Sequence, residues 1–495
     1  MAKYLRNITL FSLILSISGI FALLPTNANA AVARWQKGAN IVPTSPTEFS
    51  SSYFAESLKN LRATGADHVA FVIPYYQSTV TSSTIHTGWN TPTDESLRDA
   101  IRTAHALGFR VMLVPHIDTD SGEWRAYISP GSRKVWFAYY GVLLSYYARI
   151  AEQEGVEAIC IGTELISLTT PENNPENTSE WRTLIERTRR DYSGLLTYSA
   201  NWGGFEFGEE AEQIEFWDSL DFIGISAYYS LASFDTPMIS KENLLQKWDI
   251  WNTTKITPLA QKFNKQILFT EIGYRSMRGS HAEPWNYEVK RPVSEREQTL
   301  AYEAMFEYWN DKKILAGIFI WDWEPNPSHG GAKDISYTPQ NKAAEQVLHR
   351  WFTSLPIRNT LTLEKTSDYE IGKPVEIAVT SFNEGETLQN AVIEIEIVNS
   401  SNAIVFSYTS SPLILKSQKS ASSSTIWTPQ EIDTYKISIG VFSSNKKTQG
   451  TWNQNVYELP VHQSIAWWRR LWTDTFKPFV VSAIARMTSF ANAAI

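Results

Sequence analysis

Residues 159–168 read ICIGTELISL, an apolar run that is interrupted by Glu164 and then continues. The run ILFTEIGY, residues 267–274, repeats this pattern around Glu271. An isolated charge in an apolar environment is too unfavourable to be retained, so a carboxylate at such a position is paired, bound to a metal or kept for chemistry. The two glutamates therefore mark the ends of two buried segments.

Six further apolar runs occur between residues 33 and 355. Because all eight are continuous rather than alternating, they are typical of parallel strands that are buried on both faces. Amphipathic stretches separate them, such as residues 94–108, where Leu97, Ile101 and Ala104 recur at helical spacing before a glycine. The runs are KGANIV (37–42), HVAFVIP (68–74), RVMLVPH (110–116), EAICIGTE (157–164), GLLTYSAN (194–201), DFIGISAYY (221–229), QILFTEIG (266–273) and GIFIWDW (317–323).

Eight strand–helix units over about 320 residues predict an α/β fold, a (β/α)8 TIM barrel at residues 31–355. The alternative is a doubly wound open sheet, although no GxGxxG loop follows the first run. After residue 355 the hydrophobic pattern changes from continuous apolar runs to alternation. Segments such as VEIAVTSF (375–382) and AVIEIEIV (391–398) alternate apolar and polar residues. This alternation predicts a small all-β sandwich as an accessory domain at residues 356–461.

The two ends of the chain differ from both of these parts. Residues 1–30 have a positive start, an apolar stretch and the small-residue ending ANA, which indicates a signal peptide and a secreted or cell-surface protein. An uncleaved anchor is the alternative. Residues 462–495 form an amphipathic tail, for which we consider peripheral membrane or cell-surface association and packing against the barrel.

Composition narrows the possible partners. The formal net charge is −8 and there is no long basic run, so a nucleic-acid partner is not expected. Cys160 is the single cysteine, which excludes an intramolecular disulfide. The 19 Trp and 22 Tyr residues exceed what is usual. Aromatic side chains often form platforms for sugar rings, although a large core alone could hold most of them.

In a TIM barrel the C-terminal ends of the strands carry the active site. Glu164 ends the fourth predicted strand and Glu271 the seventh, so their side chains are expected to face each other across the barrel mouth. Two carboxyl groups in that position suit glycoside hydrolysis, in which one protonates the leaving oxygen and the other attacks or activates water. The alternative is that each glutamate pairs with an arginine or caps a helix.

Three motifs carry a resemblance to a known group of enzymes: GTELISL (162–168), FTEIGYRS (269–276) and IFIWDWEPNP (318–327). Their order resembles the clan A glycoside hydrolases, and within the clan the family 113 β-mannanases, over residues 34–355. The resemblance implies that Glu164 is the acid/base and Glu271 the nucleophile of a retaining double displacement. Many clan members have asparagine immediately before the acid/base, whereas this chain has Thr163, so the sugar 2-hydroxyl must be recognised differently here.

Further candidates for substrate binding lie at other strand ends. A hydroxyl from Tyr228 or Tyr229 is expected to hydrogen-bond the nucleophile, and Trp321 is expected to stack on the sugar at the cleaved bond, although both positions also suit core packing. At the end of the fifth strand, Asn201 and Trp202 suggest a hydrogen bond and a platform.

The motif HIDTD, residues 116–120, has acidic residues at a spacing that could suit metal ligands. No second cluster completes such a site, so we assign His116 to sugar hydroxyls and expect neither a metal nor a cofactor. The nearby GEWR, residues 122–125, is interpreted either as a wall of the same cleft or as a solvated loop.

The sequence thus predicts a secreted retaining glycoside hydrolase, an endo-β-1,4-mannanase acting on mannan or glucomannan. One alternative is a related β-glucanase or galactanase, because stacking aromatic residues do not report hydroxyl stereochemistry. The other is a non-catalytic carbohydrate-binding barrel protein.

Overall fold

The computed structural model describes residues 35–203, 209–234, 239–310, 312–353, 357–363, 369–383, 387–401, 403–443 and 452–462. The expected signal peptide at residues 1–30 lies outside these residues, as does the expected tail from residue 463 onward. Both stay predictions from sequence.

The first part of the fold is a closed ring of parallel strands. The strands are β1 (Gln36–Ile41), β2 (His68–Gln77), β4 (Arg110–Thr119), β5 (Ala158–Thr163), β6 (Leu195–Asn201), β7 (Ile223–Ser226), β8 (Ile267–Ile272) and β9 (Leu315–Ile320), with a short β3 (His86–Thr87) added antiparallel to β2. Neighbours along the chain pair in parallel, and β1 pairs with both β2 and β9, which closes the ring. Each barrel strand falls on one of the eight apolar runs, so the predicted TIM barrel is confirmed.

Helices connect the strands, and their ends follow local sequence signals. The helices are α1 (Ser52–Ala63), α2 (Asp94–Ala106), α3 (Arg133–Glu154), α4 (Ile166–Thr169), α5 (Asn177–Asp191), α6 (Glu210–Gln213), α7 (Lys241–Trp251), α8 (Thr257–Phe263), α9 (Glu295–Trp309) and α10 (Ala343–Phe352). For example, the Thr93 hydroxyl caps α2 by accepting from the Ser96 amide, and Gly108 with φ +81° follows the helix end. Within the part of the chain that the structure describes, no helix is both long and apolar enough to cross a membrane.

The barrel has two apolar layers because successive strand residues point to opposite faces. Val69, Phe71 and Ile73 of β2 belong to the large cluster that also includes helix residues. The residues between them, Ala70 and Val72, join side chains of other strands in a smaller cluster, which fills the inside of the ring together with Met112, Val114, Cys160, Leu268, Ala316 and Phe319. Buried Cys160 is therefore a packed thiol of the barrel interior, as its position in the run predicts.

The C-terminal part is all-β. Its strands are β10 (Ile357–Leu363), β11 (Tyr369–Glu370), β12 (Val375–Asn383), β13 (Leu388–Val398), β14 (Ile404–Thr409), β15 (Leu413–Leu415), β16 (Ser420–Trp427), β17 (Thr434–Ser443) and β18 (Trp452–His462). They form a three-stranded sheet, β10-β12-β16, and a larger sheet that contains β11-β18-β17-β13-β14. Ile377 of the first sheet and Ile395 and Ile437 of the second belong to one hydrophobic cluster, so the two sheets share a core.

Candidate active site

A cavity of about 760 Å³ lies at the C-terminal ends of the barrel strands. Its wall brings together six of the seven residues that the sequence suggested for the site. These are Glu164, Glu271, His116, Asn201, Tyr228 and Trp321. Residues far apart in the sequence meet here because parallel strands end at the same rim of a barrel.

Glu164 follows the last residue of β5 and is held from three directions. Its Oε1 accepts a hydrogen bond from Asn201 Nδ2 at 3.0 Å, and its Oε2 accepts from Trp124 Nε1 and Arg125 Nη1, both at 3.3 Å. The residue is 7% exposed and its backbone is left-handed, with φ 52°. That conformation costs a non-glycine residue about 1–3 kcal/mol, so the surrounding contacts must hold it in place.

Arg125 reaches Glu164 from the short helical turn that follows β4. Its guanidinium also donates to Asp118 Oδ1, from Nη2 at 2.6 Å and Nε at 3.1 Å. Burial opposes the charge of Arg125, but Asp118, Glu164 and Glu271 outweigh it and raise the arginine pKa. GEWR is thus part of the cleft wall, which decides between the two interpretations of that motif.

Glu271 is the fifth residue of β8 and is 6% exposed. The hydroxyl of Tyr228, two residues after β7, donates to Glu271 Oε2 at 3.1 Å. This is the contact that the sequence predicted for one of the two tyrosines. The neighbouring Tyr229 is instead packed against Trp248 and Trp251.

The two glutamates influence each other electrostatically. Burial, and then the negative charge of Glu164, raise the pKa of Glu271 to about 8, while Arg125 and the Tyr228 hydroxyl oppose the rise. Two nearby carboxyl groups resist being charged together, and their titration belongs to the pair. The pair therefore retains one proton at neutral pH.

His116 presents a different kind of polar group to the cavity. Burial, and then the charge of Arg125, lower its pKa to about 3, so the ring is neutral at working pH. Within the described part of the chain, its Nε2 atom is buried and has no hydrogen-bond partner. The centroid of the His116 ring lies 6.3 Å from the centroid of the Trp321 ring. A buried polar atom without a partner at a cavity wall is suited to a ligand hydroxyl.

Aromatic side chains form much of the remaining wall. Trp321, directly after β9, lies where the sequence suggested a platform. Other aromatic residues of the wall have no sequence motif that pointed to them, namely Tyr76, Trp285, Tyr287 and Tyr337. Trp285 and Tyr287 come from the irregular segment between β8 and α9. That segment has no apolar periodicity, and the only available signal was that loops after barrel strands border the site.

Trp202 is the seventh predicted site residue, and it does not line the cavity. Its ring packs against Trp285 at 5.2 Å, Tyr229 at 5.5 Å and Trp251 at 5.8 Å between centroids. The aromatic side chain in the wall is Trp285, with Trp202 behind it. The physical reason is that the rings of Trp285, Tyr229 and Trp251 pack around the Trp202 indole, and Trp285 occupies the position at the wall.

Metal ligation was the other interpretation of HIDTD. Among the described residues, no three His, Cys, Asp or Glu side chains lie in an arrangement that could hold a metal ion. Asp118 is instead engaged by Arg125, whose charge and hydrogen bonds outweigh the effect of burial and lower the pKa of Asp118.

Two carboxyl groups in the wall of one aromatic cavity are typical of enzymes that hydrolyse glycosidic bonds. Comparison of the sequence with known protein families places this chain among these enzymes. The sequence model of the family named Glycoside Hydrolase Family 113 matches residues 42–342 of the chain. The chain therefore belongs to family 113 of the glycoside hydrolases, as the three motifs indicated. No curated protein is significantly similar to the chain in sequence.

Solved structures of family members agree with this assignment. The chain is 27% identical to a family 113 β-mannanase from Alicyclobacillus acidocaldarius, solved in complex with ManMIm, with a TM-score of 0.57 over 66% of this chain and 99% of that one. It is 25% identical to a family 113 β-1,4-mannanase solved as a complex, with a TM-score of 0.56 over 65% of this chain and 99% of the other.

Proposed function

We propose that this glycoside hydrolase is a secreted, retaining endo-β-1,4-mannanase that acts on mannan or glucomannan. The observation that carries the proposal is the pair Glu164 and Glu271, both buried, at the ends of the fourth and seventh barrel strands and in the wall of one cavity. The similarity to solved β-mannanases of the same family supports the choice of substrate.

In the first step, Glu271 attacks the anomeric carbon while Glu164 gives its proton to the leaving glycosidic oxygen. This forms a covalent glycosyl ester with Glu271 and releases the first product. In the second step, Glu164 takes a proton from water, the water oxygen bonds to the anomeric carbon, and Glu271 leaves as a carboxylate. The two inversions restore the β configuration.

The other wall residues suit a bound sugar. Trp321 offers a flat apolar face for a pyranose ring, and neutral His116 can exchange a hydrogen bond with a hydroxyl. Asn201 orients Glu164 through the bond to its Oε1 atom. Thr163, where many clan members have asparagine, leaves the 2-hydroxyl to be recognised by other side chains, which fits an axial hydroxyl as in mannose.

The charges of the wall favour a neutral glycan. Among the described lining residues there are four acids, namely Asp118, Glu123, Glu164 and Glu271, and Arg125 is the one arginine or lysine. Arg125 is already bonded to Asp118 and Glu164. A uronic acid would therefore bring a further negative charge towards a site that has no spare cation among these residues.

Endo action is supported by the distribution of the aromatic residues. Tyr76 belongs to β2, whereas Trp285 and the exposed Tyr287 follow β8, three strands away around the ring. Platforms on two sides of the carboxylates can bind several consecutive sugar units of one polymer.

The substrate is tested by measuring reducing-sugar release from mannan, glucomannan, galactan and β-glucan by the purified chain. We expect release from mannan and glucomannan, with a mixture of oligosaccharides as the early products. Preferential cleavage of galactan or β-glucan would replace the mannanase proposal by the corresponding enzyme. Binding of a polymer without cleavage would support a non-catalytic barrel protein.

Secretion and surface association are proposals that rest on sequence. The signal-like residues 1–30 support export, and the Trp- and Arg-containing tail supports peripheral association with a membrane or cell surface. N-terminal sequencing of exported protein should find Ala31 first, whereas a chain that still begins before Ala31 would indicate an uncleaved anchor. Deletion of residues 462–495 should shift the protein into the medium, and unchanged fractionation would contradict the tail's role.

A further inference from the structure

A third carboxylate lies behind the cavity wall and has no part in the proposed chemistry. Glu210 is the first residue of α6 and is fully buried. Its Oε1 accepts hydrogen bonds from Thr169 Oγ1 at 2.7 Å and from the Tyr198 hydroxyl at 2.8 Å. Its Oε2 accepts from the Asn201 backbone amide at 2.6 Å.

Two of these three bonds lead to Glu164. The Tyr198 hydroxyl, while donating to Glu210, accepts a bond of 2.6 Å from the backbone amide of Leu165, the residue after Glu164. Asn201, whose amide is held by Glu210, donates from its side chain to Glu164 Oε1. The third bond, from the Thr169 hydroxyl, involves neither the Leu165 amide nor Asn201.

A buried carboxylate is unfavourable unless it is well hydrogen-bonded, so its presence needs a reason. Burial raises the pKa of Glu210 to about 7, and the charge of Glu164 adds to the rise, although the three donors oppose it. An apolar residue would fill the space without this penalty. What it would not provide is an acceptor for the Asn201 amide and for the Tyr198 hydroxyl, which in turn accepts from the amide of Leu165, the residue after left-handed Glu164.

We infer that Glu210 is a positioning residue for the proposed acid/base: through Tyr198 and Asn201 it holds the Glu164 carboxyl in line with the glycosidic oxygen. This inference rests on the proposed role of Glu164. A displacement of about 1 Å at a reacting group can lower a rate about 100-fold, so the loss of Glu210 should be visible in turnover.

The central experiment compares Glu210→Gln with Glu209→Gln. Glu209 is the adjacent residue in the chain, and its carboxylate pairs with Lys255 instead of reaching Tyr198 or Asn201. On mannan, Glu210→Gln should lower kcat by about 30–100-fold with little change in KM, because the acid is misplaced while the binding surface is retained. Glu209→Gln should stay within about 2-fold of wild type, as expected of a substitution away from the site.

Two further measurements separate positioning from a general loss of stability. An aryl β-mannoside with a very good leaving group does not need the acid, so Glu210→Gln should release the aryl alcohol in its pre-steady-state burst at nearly the wild-type rate. In a Glu164→Ala background, adding Glu210→Gln should lower the rate on mannan by less than about 3-fold, because residues that act through one another are not additive. Equal losses on both substrates, or full additivity, would overturn the inference.

A second pair of variants covers the case in which Glu210→Gln does not fold. Tyr198→Phe and Thr169→Val each remove one donor to Glu210 and keep the side-chain shape, but only Tyr198 also holds Leu165. Tyr198→Phe should therefore lower kcat on mannan and Thr169→Val should not. Equal kcat losses in these two variants would also overturn the inference.

Amide hydrogen exchange tests the same link without any substrate. The Leu165 amide should exchange faster in Tyr198→Phe than in Thr169→Val, and unchanged exchange would contradict the link. If the wild-type protein cleaves no glycan, the proposed function fails, while the same exchange measurement on Glu210→Gln and Glu209→Gln still decides the inference: the Leu165 amide should exchange faster only in Glu210→Gln, and equal exchange in the two variants would overturn it.

Discussion

The ends of β5 and β8 place the same residue type in the same cavity with nearly the same burial, yet hold it differently. Glu164 accepts from an amide, an indole and a guanidinium, whereas Glu271 accepts from the Tyr228 hydroxyl. Three donors fix the orientation of a carboxyl group more closely than one does. This difference suits Glu164 to the proposed delivery of a proton along a defined direction, while Glu271, in the cavity wall, is less tightly held for its proposed role as the nucleophile.

The protein determines how many protons the two carboxyl groups hold, and the substrate determines which of the two groups carries the proton. The raised pKa of Glu271 means that the pair keeps one proton up to about pH 8. Retaining hydrolysis needs one protonated and one ionised carboxyl group, so the pair has the correct number of protons. For glycosylation the proton must lie on Glu164, and the transition state favours this because positive charge develops on the sugar beside Glu271 as the bond breaks.

The largest expected effect comes from removing the proposed nucleophile. Glu271→Gln should lower kcat on mannan by about 10⁴-fold or more, because an amide cannot form the glycosyl ester. Glutamine can still accept from Tyr228, so circular dichroism should show an intact fold. Activity within a few-fold of wild type would remove Glu271 from this role.

Glu164→Ala should have a smaller and substrate-dependent effect. On mannan we expect kcat/KM to fall by about 10²–10⁴-fold, the usual contribution of general acid–base catalysis. With an activated aryl β-mannoside the first step should survive, and azide should restore turnover by attacking the ester in the vacated space, giving a β-mannosyl azide.

A control for Glu164→Ala lies beside the other end of the same strand. Glu157 precedes the opposite end of β5, where its Oε2 accepts from the Val111 amide at 2.7 Å. That end of a TIM barrel serves stability, so Glu157→Gln should lower the melting temperature and leave kcat unchanged. Wild-type activity of Glu164→Ala on mannan would contradict its assignment as the acid.

The smallest expected effect is on stability. A carboxyl group with a raised native pKa binds its proton more tightly when folded, so its stabilising contribution is complete below the unfolded pKa of about 4.3 and is lost as pH rises towards 8. Glu271→Gln avoids the unfavourable buried charge. Its melting temperature relative to wild type should therefore increase by roughly 5 °C between pH 5 and pH 8. A difference that is constant with pH, or that shrinks, would contradict the raised pKa.

The barrel and its two glutamates were predictable from sequence because their signals are local. A parallel strand buried on both faces must be a continuous apolar run, and a carboxylate that ends such a run stands out. Trp202 lies next to Asn201 in the chain, but which ring faces the cavity is decided by Trp285, more than 80 residues later. Glu210 likewise resembles its acidic neighbours in sequence, and its role depends on where α6 places it against β6.

The most direct test of the account is the configuration of the first product. Hydrolysis of a β-1,4-linked manno-oligosaccharide is followed by NMR in the first minutes, before the anomers equilibrate. Double displacement through a Glu271 ester predicts that the β-anomer of the new reducing end appears first. An initial α-anomer would mean that water attacks the glycan directly, and the covalent role of Glu271 would have to be abandoned.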